Sequence, residues 1–205
     1  SSKSRDIIQN EKYKAYFPNV SIRYDVSAKT FYQTKKGGVR YSFSTNGSVT
    51  GKHASILIDD DRMDVKIADS PAERLRAINQ FKAYQTRKKD KAKTPYILME
   101  QRLSNKDTTA HCLNVFKDEC RHICLPAENV YKNIEPKEIE KFYIDGLLDP
   151  VRLNRDILKS TRMGLTDDSK PISEIAYNIQ FNQVSETLEG LLYGKLNFVA
   201  SLPES

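Results

Sequence analysis

The segment Ala54-Ser55-Ile56-Leu57-Ile58-Asp59-Asp60-Asp61 decides how the rest of the chain is read. A short apolar run that stops on three carboxylates has the length of a strand. Its lack of polar alternation predicts a strand buried on both faces of a parallel sheet. Downstream, Ser70-Pro71-Ala72-Glu73 opens the clearest helix: Ser70 caps, Pro71 takes the first helical position and Glu73 completes a capping box. Leu75, Ile78 and Phe81 then recur at helical spacing as far as Gln85. After the basic run RKKDKAK (87–93), PYILMEQ from Pro95 predicts a second short buried strand, and RHICLPA, around Ile123 and Leu125, a third. Strand, helix, strand at these lengths describes an open α/β sheet with crossover helices.

Upstream, 4–16 predicts a helix ended by Phe17-Pro18. VSIRYDVSAKTFYQT predicts one or two strands, Lys36-Gly37-Gly38 a turn, VRYSFST a further strand and Asn46-Gly47 another turn. Beyond Glu128 the texture changes. A helix is expected over 150–163, closed by Gly164, a second over 171–183, and a strand or hairpin over 189–198. The chain therefore divides into a main domain, 1–128, and a small subdomain, 129–205.

Composition bounds the function. The 205 residues are 39% hydrophobic with 11 Tyr and 8 Phe, enough for a core and against wholesale disorder. The net charge of +6 favours an anionic partner. Cys112, Cys120 and Cys124 cannot all pair with one another, which predicts free thiols in a reducing compartment. Cys120 and Cys124, with His122 between and His111 nearby, raise a zinc site, but a structural zinc needs a second ligand cluster and thiols in or near the core are the plainer reading. No apolar run approaches the roughly 20 residues that span a bilayer, and the opening SSKSRDIIQNEKYK has no signal-like apolar stretch, so a cytosolic protein is expected. The Tyr residues are scattered through strands and read as core rather than as a base-stacking platform.

A strand ending in two carboxylates carries the chemistry of a nucleotide triphosphatase's second motif. One carboxylate orients magnesium through its water shell; the next orients and deprotonates the attacking water. Asp59 and Asp60 fit those roles, and chemistry alone does not rank Asp60 above Asp61. The plainer reading is a solvated acidic turn after a core strand. Gln101, at the end of the neighbouring strand, has an amide that donates and accepts and so suits a γ-phosphate sensor. Thr50-Gly51-Lys52 forms a loop leading into the acidic strand. Arg87, Lys88, Lys89, Lys91 and Lys93 form either a DNA-phosphate contact or a solubilising loop.

The order of these pieces resembles the ATPase domain of tailed-bacteriophage large terminase subunits. GGVRYSFSTNGSVTGKHASILIDDD is similar to that family's Gly-Gly strand, Thr-Gly loop and Walker B strand. SPAERLRAINQFKAYQTRKKDKAKTPYILMEQRLSNKDTTAHCL is similar to its Ser-capped helix, Thr-Arg segment, strand ending in Gln/Thr-Arg and following helix start. SRDIIQNEKYKAYFP resembles its arginine-containing helix, and YIDGLLDPVRL with IQFNQVSETLEGLLY its linker subdomain. The resemblance implies a partial P-loop NTPase-like sheet of the ASCE/RecA type with a C-terminal linker, ATP and Mg2+ as cofactors, and double-stranded DNA as cargo. It also implies the portal protein, the small terminase subunit and further copies in a ring as partners, in the host cytoplasm. Arg40 and Lys52 are both candidates for the basic residue acting across that ring. Asp61 stands where relatives often have Pro, and Leu103 where many have an aromatic residue. The family's Walker A loop is expected upstream of Ser1 and its nuclease beyond Ser205, so this chain alone is expected to turn over little ATP.

Two other readings compete. A DEAD-like helicase would need an arginine-rich motif of the form Gln-x-x-Gly-Arg-x-x-Arg, and none occurs. A non-catalytic basic DNA- or protein-binding module would make the acidic strand end incidental.

Overall fold

β-branched and aromatic residues between 22 and 41 build three short strands: β1 (Ile22–Ser27), β2 (Phe31–Thr34) and β3 (Val39–Tyr41). In a computed structural model that describes residues 2–44, 47, 49–63, 68, 70–164 and 174–185, they pair antiparallel in the order β1-β2-β3. Phe31 lies opposite Tyr41, Tyr32 opposite Arg40 and Gln33 opposite Val39. Gly37 closes the β2–β3 turn at φ +87°, a conformation that glycine adopts without a Cβ penalty. The helix expected over 4–16 is instead two, α1 (Ser2–Gln9) and α2 (Glu11–Tyr16). Asn10 breaks the run: it sits extended and its side chain accepts the Lys12 N–H as a new N-cap. On the sheet, Tyr32 is buried and its hydroxyl lies 3.4 Å from Ser4 Oγ of α1. Arg5 of α1 donates to the Ser27 carbonyl. These elements make up the first of two units, Ser1–Lys52; the second is His53–Ser205, so the division expected after Glu128 falls inside the second unit.

The second unit is organised by β4 (Leu57–Asp60), α3 (Pro71–Gln85) and β5 (Tyr96–Met99). β4 and β5 run parallel, Leu57 to Tyr96 through Asp60 to Met99, with α3 as the crossover. Ser70 caps α3 by accepting the Glu73 N–H, and Pro71 starts it, as the capping pattern predicts. The expectation of strands buried on both faces fails. Both strands alternate between half-buried and exposed positions, leaving Ile58 64%, Ile97 44% and Met99 47% exposed. A pleated pair with a helix on one side covers only every second residue.

RHICLPA does not become a strand either. Cys124 makes only an isolated antiparallel bridge with Glu135, and Pro126 follows two residues on. α4 (Thr108–Val115) starts on Asp107, whose buried carboxylate accepts the Ala110 N–H. A 3-10 helix covers Lys137–Phe142, and α5 (Arg155–Arg162) begins later than expected because Asn154, not Pro150, caps it. α6 (Glu174–Phe181) lies within the helix expected over 171–183, whose first three residues fall outside the described set, as does the tail strand over 189–198. α6 joins two apolar clusters. Ile179 packs with Met63, Ala68, Ala77 and Leu103, while Tyr177 packs with Ala127, Leu147 and Leu158. Cys112, Cys120 and Cys124 are free thiols, and burial pushes the Cys112 thiol up to about 12. No described helix is long and apolar enough to cross a membrane. The class is mixed α/β, with small open sheets.

Candidate functional site

Strand alternation sends the two adjacent aspartates of β4 in different directions. Asp59 is half-buried on the side taken by α3, with its side chain only 13% exposed, and Asp60 is exposed. The Asp59 carboxylate is ion-paired with Arg62 and accepts the Tyr96 hydroxyl at 2.7 Å. Arg62 is buried with its guanidinium 4.8 Å over the Tyr84 ring, and it donates to Gln80 Oε1 and to the Tyr96 oxygen. Phe81 stands edge-on to the Tyr96 ring at 5.0 Å, and burial pushes the Tyr96 phenol well up. Asp59, Arg62, Gln80, Tyr84 and Tyr96 therefore form a polar knot between β4, β5 and α3.

Asp61 makes the knot possible. It adopts φ +48°, a left-handed conformation that Asp tolerates better than most residues, and its N–H still bonds the Met99 carbonyl at 2.9 Å. That reversal turns the chain so that Arg62 re-enters the interior. Proline, with φ fixed near −65° and no N–H, could do neither.

Asp60 and Gln101 sit at the same, carboxyl end of the parallel pair, and both are exposed. Beside them is a carboxylate that the sequence reading passed over. Glu100 accepts both the N–H and the Oγ1 of Thr109, each at 2.7 Å, while its Oε2 is buried with no hydrogen-bond partner. Burial, with the nearby Asp107 charge adding to it, raises the Glu100 carboxyl above its ordinary range. Asp107 also accepts Arg102 Nε at 3.1 Å, and Arg102 bonds Gln183 and Ser185, tying the end of β5 to the segment after α6. The signal for Asp107 was available as an Asp ahead of Thr-Thr-Ala; that for Arg62 was not, because it depends on the conformation of Asp61.

Thr50, Gly51, Lys52 and Arg40 belong to the first unit. Thr50 and Gly51 occupy an exposed turn closed by the Lys52 N–H on the Val49 carbonyl, with Gly51 at φ +73°, as a type II turn requires. Lys52 Nζ lies 4.8 Å over the Tyr41 ring, and Arg40 is exposed on β3, donating to Ser42 Oγ. The basic run is a folded turn: Lys88 bridges Ala54, and Asp90 accepts the N–H groups of Ala92 and Lys93. Lys89, Lys91 and Lys93 are exposed, whereas Arg87 and Lys88 are half-buried.

Asp60 and Asp61 offer exposed oxygen ligands of the kind magnesium takes, together with water. Asp59 does not fit that role as it stands, since Arg62 already neutralises it. Among the described residues no group of three or more His, Cys, Asp or Glu is arranged to hold a metal ion. No protein-family model and no curated protein matches the chain.

Proposed function

We propose that this chain is the Walker-B-bearing portion of a terminase-type ATPase that drives double-stranded DNA into a capsid. The observation that carries this reading is the β4–α3–β5 crossover with Asp60, Asp61 and Gln101 at its carboxyl end. Open α/β sheets bind their ligands beyond the carboxyl ends of the strands. Asp60 and Asp61 would hold magnesium-ATP, which would supply the phosphoryl group that is transferred. Asp60 orients the attacking water and takes its proton. Gln101 senses the phosphate, and Asp59 is held in reserve by Arg62 and Tyr96. Arg40 or Lys52 acts on a neighbouring copy in the ring, Thr50 and Gly51 shape that loop, and Lys89, Lys91 and Lys93 meet duplex phosphates. The portal protein and the small terminase subunit are the docking partners, in the host cytoplasm.

The sequence has no Gly-x-x-x-x-Gly-Lys-Ser/Thr loop, so the isolated chain is expected not to turn over ATP. The test is binding of a fluorescent ATP analogue by the chain alone and by the chain supplied in trans with a Gly-x-x-x-x-Gly-Lys-Ser/Thr phosphate loop. Magnesium-dependent binding that Asp60→Asn abolishes supports the motor. Duplex binding that nucleotide never alters, in both forms, points instead to a non-catalytic binding module.

A further inference from the structure

The first unit carries all of the chain's net positive charge. It holds ten Lys and Arg against three Asp and Glu, a net +7, while the remaining residues sum to −1. Two of its three acids are already paired, Asp6 with Arg5 and Asp25 with Arg23. Cations lie at the turn and over the sheet: Lys35 and Lys36 at the β2–β3 turn and Lys52 over Tyr41, while Arg40, the register partner of Tyr32, belongs to the other face.

The two faces of that sheet differ. Tyr32 marks the face beneath α1. On the opposite face Phe31 and Tyr41 lie in register, with ring centroids 4.8 Å apart and planes within 20°. Phe43 continues the row at 6.0 Å and 19°. Tyr41 remains 39% and Phe43 44% exposed. The expectation that the Tyr residues are core therefore holds for Tyr32 and Tyr177 but not for Tyr41, or for Tyr16 and Tyr24, which are also exposed.

We infer that this face binds single-stranded nucleic acid, with unpaired bases extending the Phe31–Tyr41–Phe43 row and the flanking cations meeting the phosphates. Stacked aromatic rings beside a positive rim are how sequence-tolerant single-strand binders work. A protein partner fits less well, because protein–protein interfaces are depleted in Lys. A duplex fits less well, because its base faces are already stacked on one another. The inference does not depend on the ATPase reading, whose acidic strand end lies in the other unit and whose cargo is a duplex, although that reading also draws on Arg40 and Lys52 of this unit.

The experiment is fluorescence anisotropy of the full 205-residue chain with labelled dT15, an abasic 15-mer with the same phosphates, and a 15-base-pair duplex. The unaltered chain is expected to bind dT15 at least about 5-fold more tightly than the abasic strand, the lower end of what one stacked base contributes. Phe43→Ala is expected to remove that advantage while leaving abasic binding unchanged, and Tyr41→Phe, which keeps the ring, to retain it. Replacing Lys35 and Lys36 by Ala lowers the salt slope by about 1.4, from roughly 0.7 per phosphate neutralised on a single strand. Equal affinity for dT15 and the abasic strand, preference for the duplex, or binding only to anionic phosphatidylserine vesicles would each overturn the inference. The comparison of strands on the unaltered chain decides the matter even if Phe43→Ala fails to fold.

Discussion

Each unit of this molecule has a sheet with a helix on one side and an exposed face on the other, yet the two exposed faces have opposite chemistry. The antiparallel β1–β2–β3 sheet presents stacked aromatics with Lys35, Lys36 and Lys52 near them. The parallel β4–β5 pair presents Ile58, Ile97 and Met99. Antiparallel sheets commonly leave one face to solvent or a ligand, whereas parallel strands are normally covered on both sides. Exposure therefore means different things in the two places: a binding face in the first unit and an unfinished layer in the second. The second unit adds the Asp59–Arg62–Tyr96 knot to the apolar packing on its covered side, and that difference can be broken experimentally.

The largest effect is expected at Arg62. Removing one partner of a buried pair leaves an uncompensated charge, so Arg62→Ala is expected to destabilise the second unit by about 3–5 kcal/mol. Urea denaturation gives the magnitude. Amide exchange gives the location: β4, β5 and α3 lose protection while β1–β3 keep theirs. Equal loss in both sheets would mean that the knot does not distinguish the units. Next is Asp61→Pro, which forbids the observed φ of +48° and deletes the N–H bonded to Met99. It is expected to cost about 2–3 kcal/mol from strain and a lost hydrogen bond. Asp61→Gly, compatible with that conformation, is expected to be tolerated, and a variant in which proline is harmless would show that Arg62 can be buried by another route.

The order of these effects also shows what could be read from residues alone. The Ser70–Pro71–Glu73 pattern announced α3 to the residue, because capping is local chemistry. β5 falls inside the run read as a strand, but β4 starts at Leu57 rather than Ala54 and takes in Asp59 and Asp60, because pairing with β5 and not the apolar run sets its ends. The exposure of the two strands was not legible: a run such as Ile56-Leu57-Ile58 looks equally apolar whether one face or both are covered, and only the number of layers decides. Arg62 was illegible because its burial depends on a left-handed Asp61, and Glu100 because its environment is supplied by Thr109 of α4, nine residues away. The acidic tip was legible as a chemical grouping. That Asp59 faces α3 while Asp60 faces outward follows only once the register with β5 is known.

A smaller effect is expected from Glu100. Its carboxyl is raised, mainly by burial, so the native state holds this proton more tightly than the unfolded chain does. The native state then binds more protons than the unfolded one between the ordinary value of 4.5 and the raised one, and stability falls as pH climbs through that window. Glu100→Gln keeps an oxygen for Thr109 and has no charge to bury. In urea melts its stability relative to the unaltered chain is expected to be greater above that window than below it, and a difference that stays flat with pH would remove Glu100 from the account.

The smallest effect belongs to the bare face itself. Ile58 and Ile97 are cross-strand partners on the exposed face, so Ile58→Thr and Ile97→Thr, which keep a β-branched side chain, are expected to cost no more than about 1 kcal/mol each, the scale of one cross-strand pair. Phe81→Ala, on the covered side and 2% exposed, is expected to cost about 3–5 kcal/mol. If the Thr variants instead cost as much as Phe81→Ala, the face is covered in solution. Sedimentation of the unaltered chain would then distinguish a second copy, seen as a concentration-dependent dimer, from cover supplied within one chain. If the Thr variants cost no more than one such pair and leave self-association unchanged, the face is open. The apolar row Ile58–Ile97–Met99 then marks where another layer of an α/β sheet is seated, in contrast to the charged rim that keeps the first unit's face available to an anionic strand.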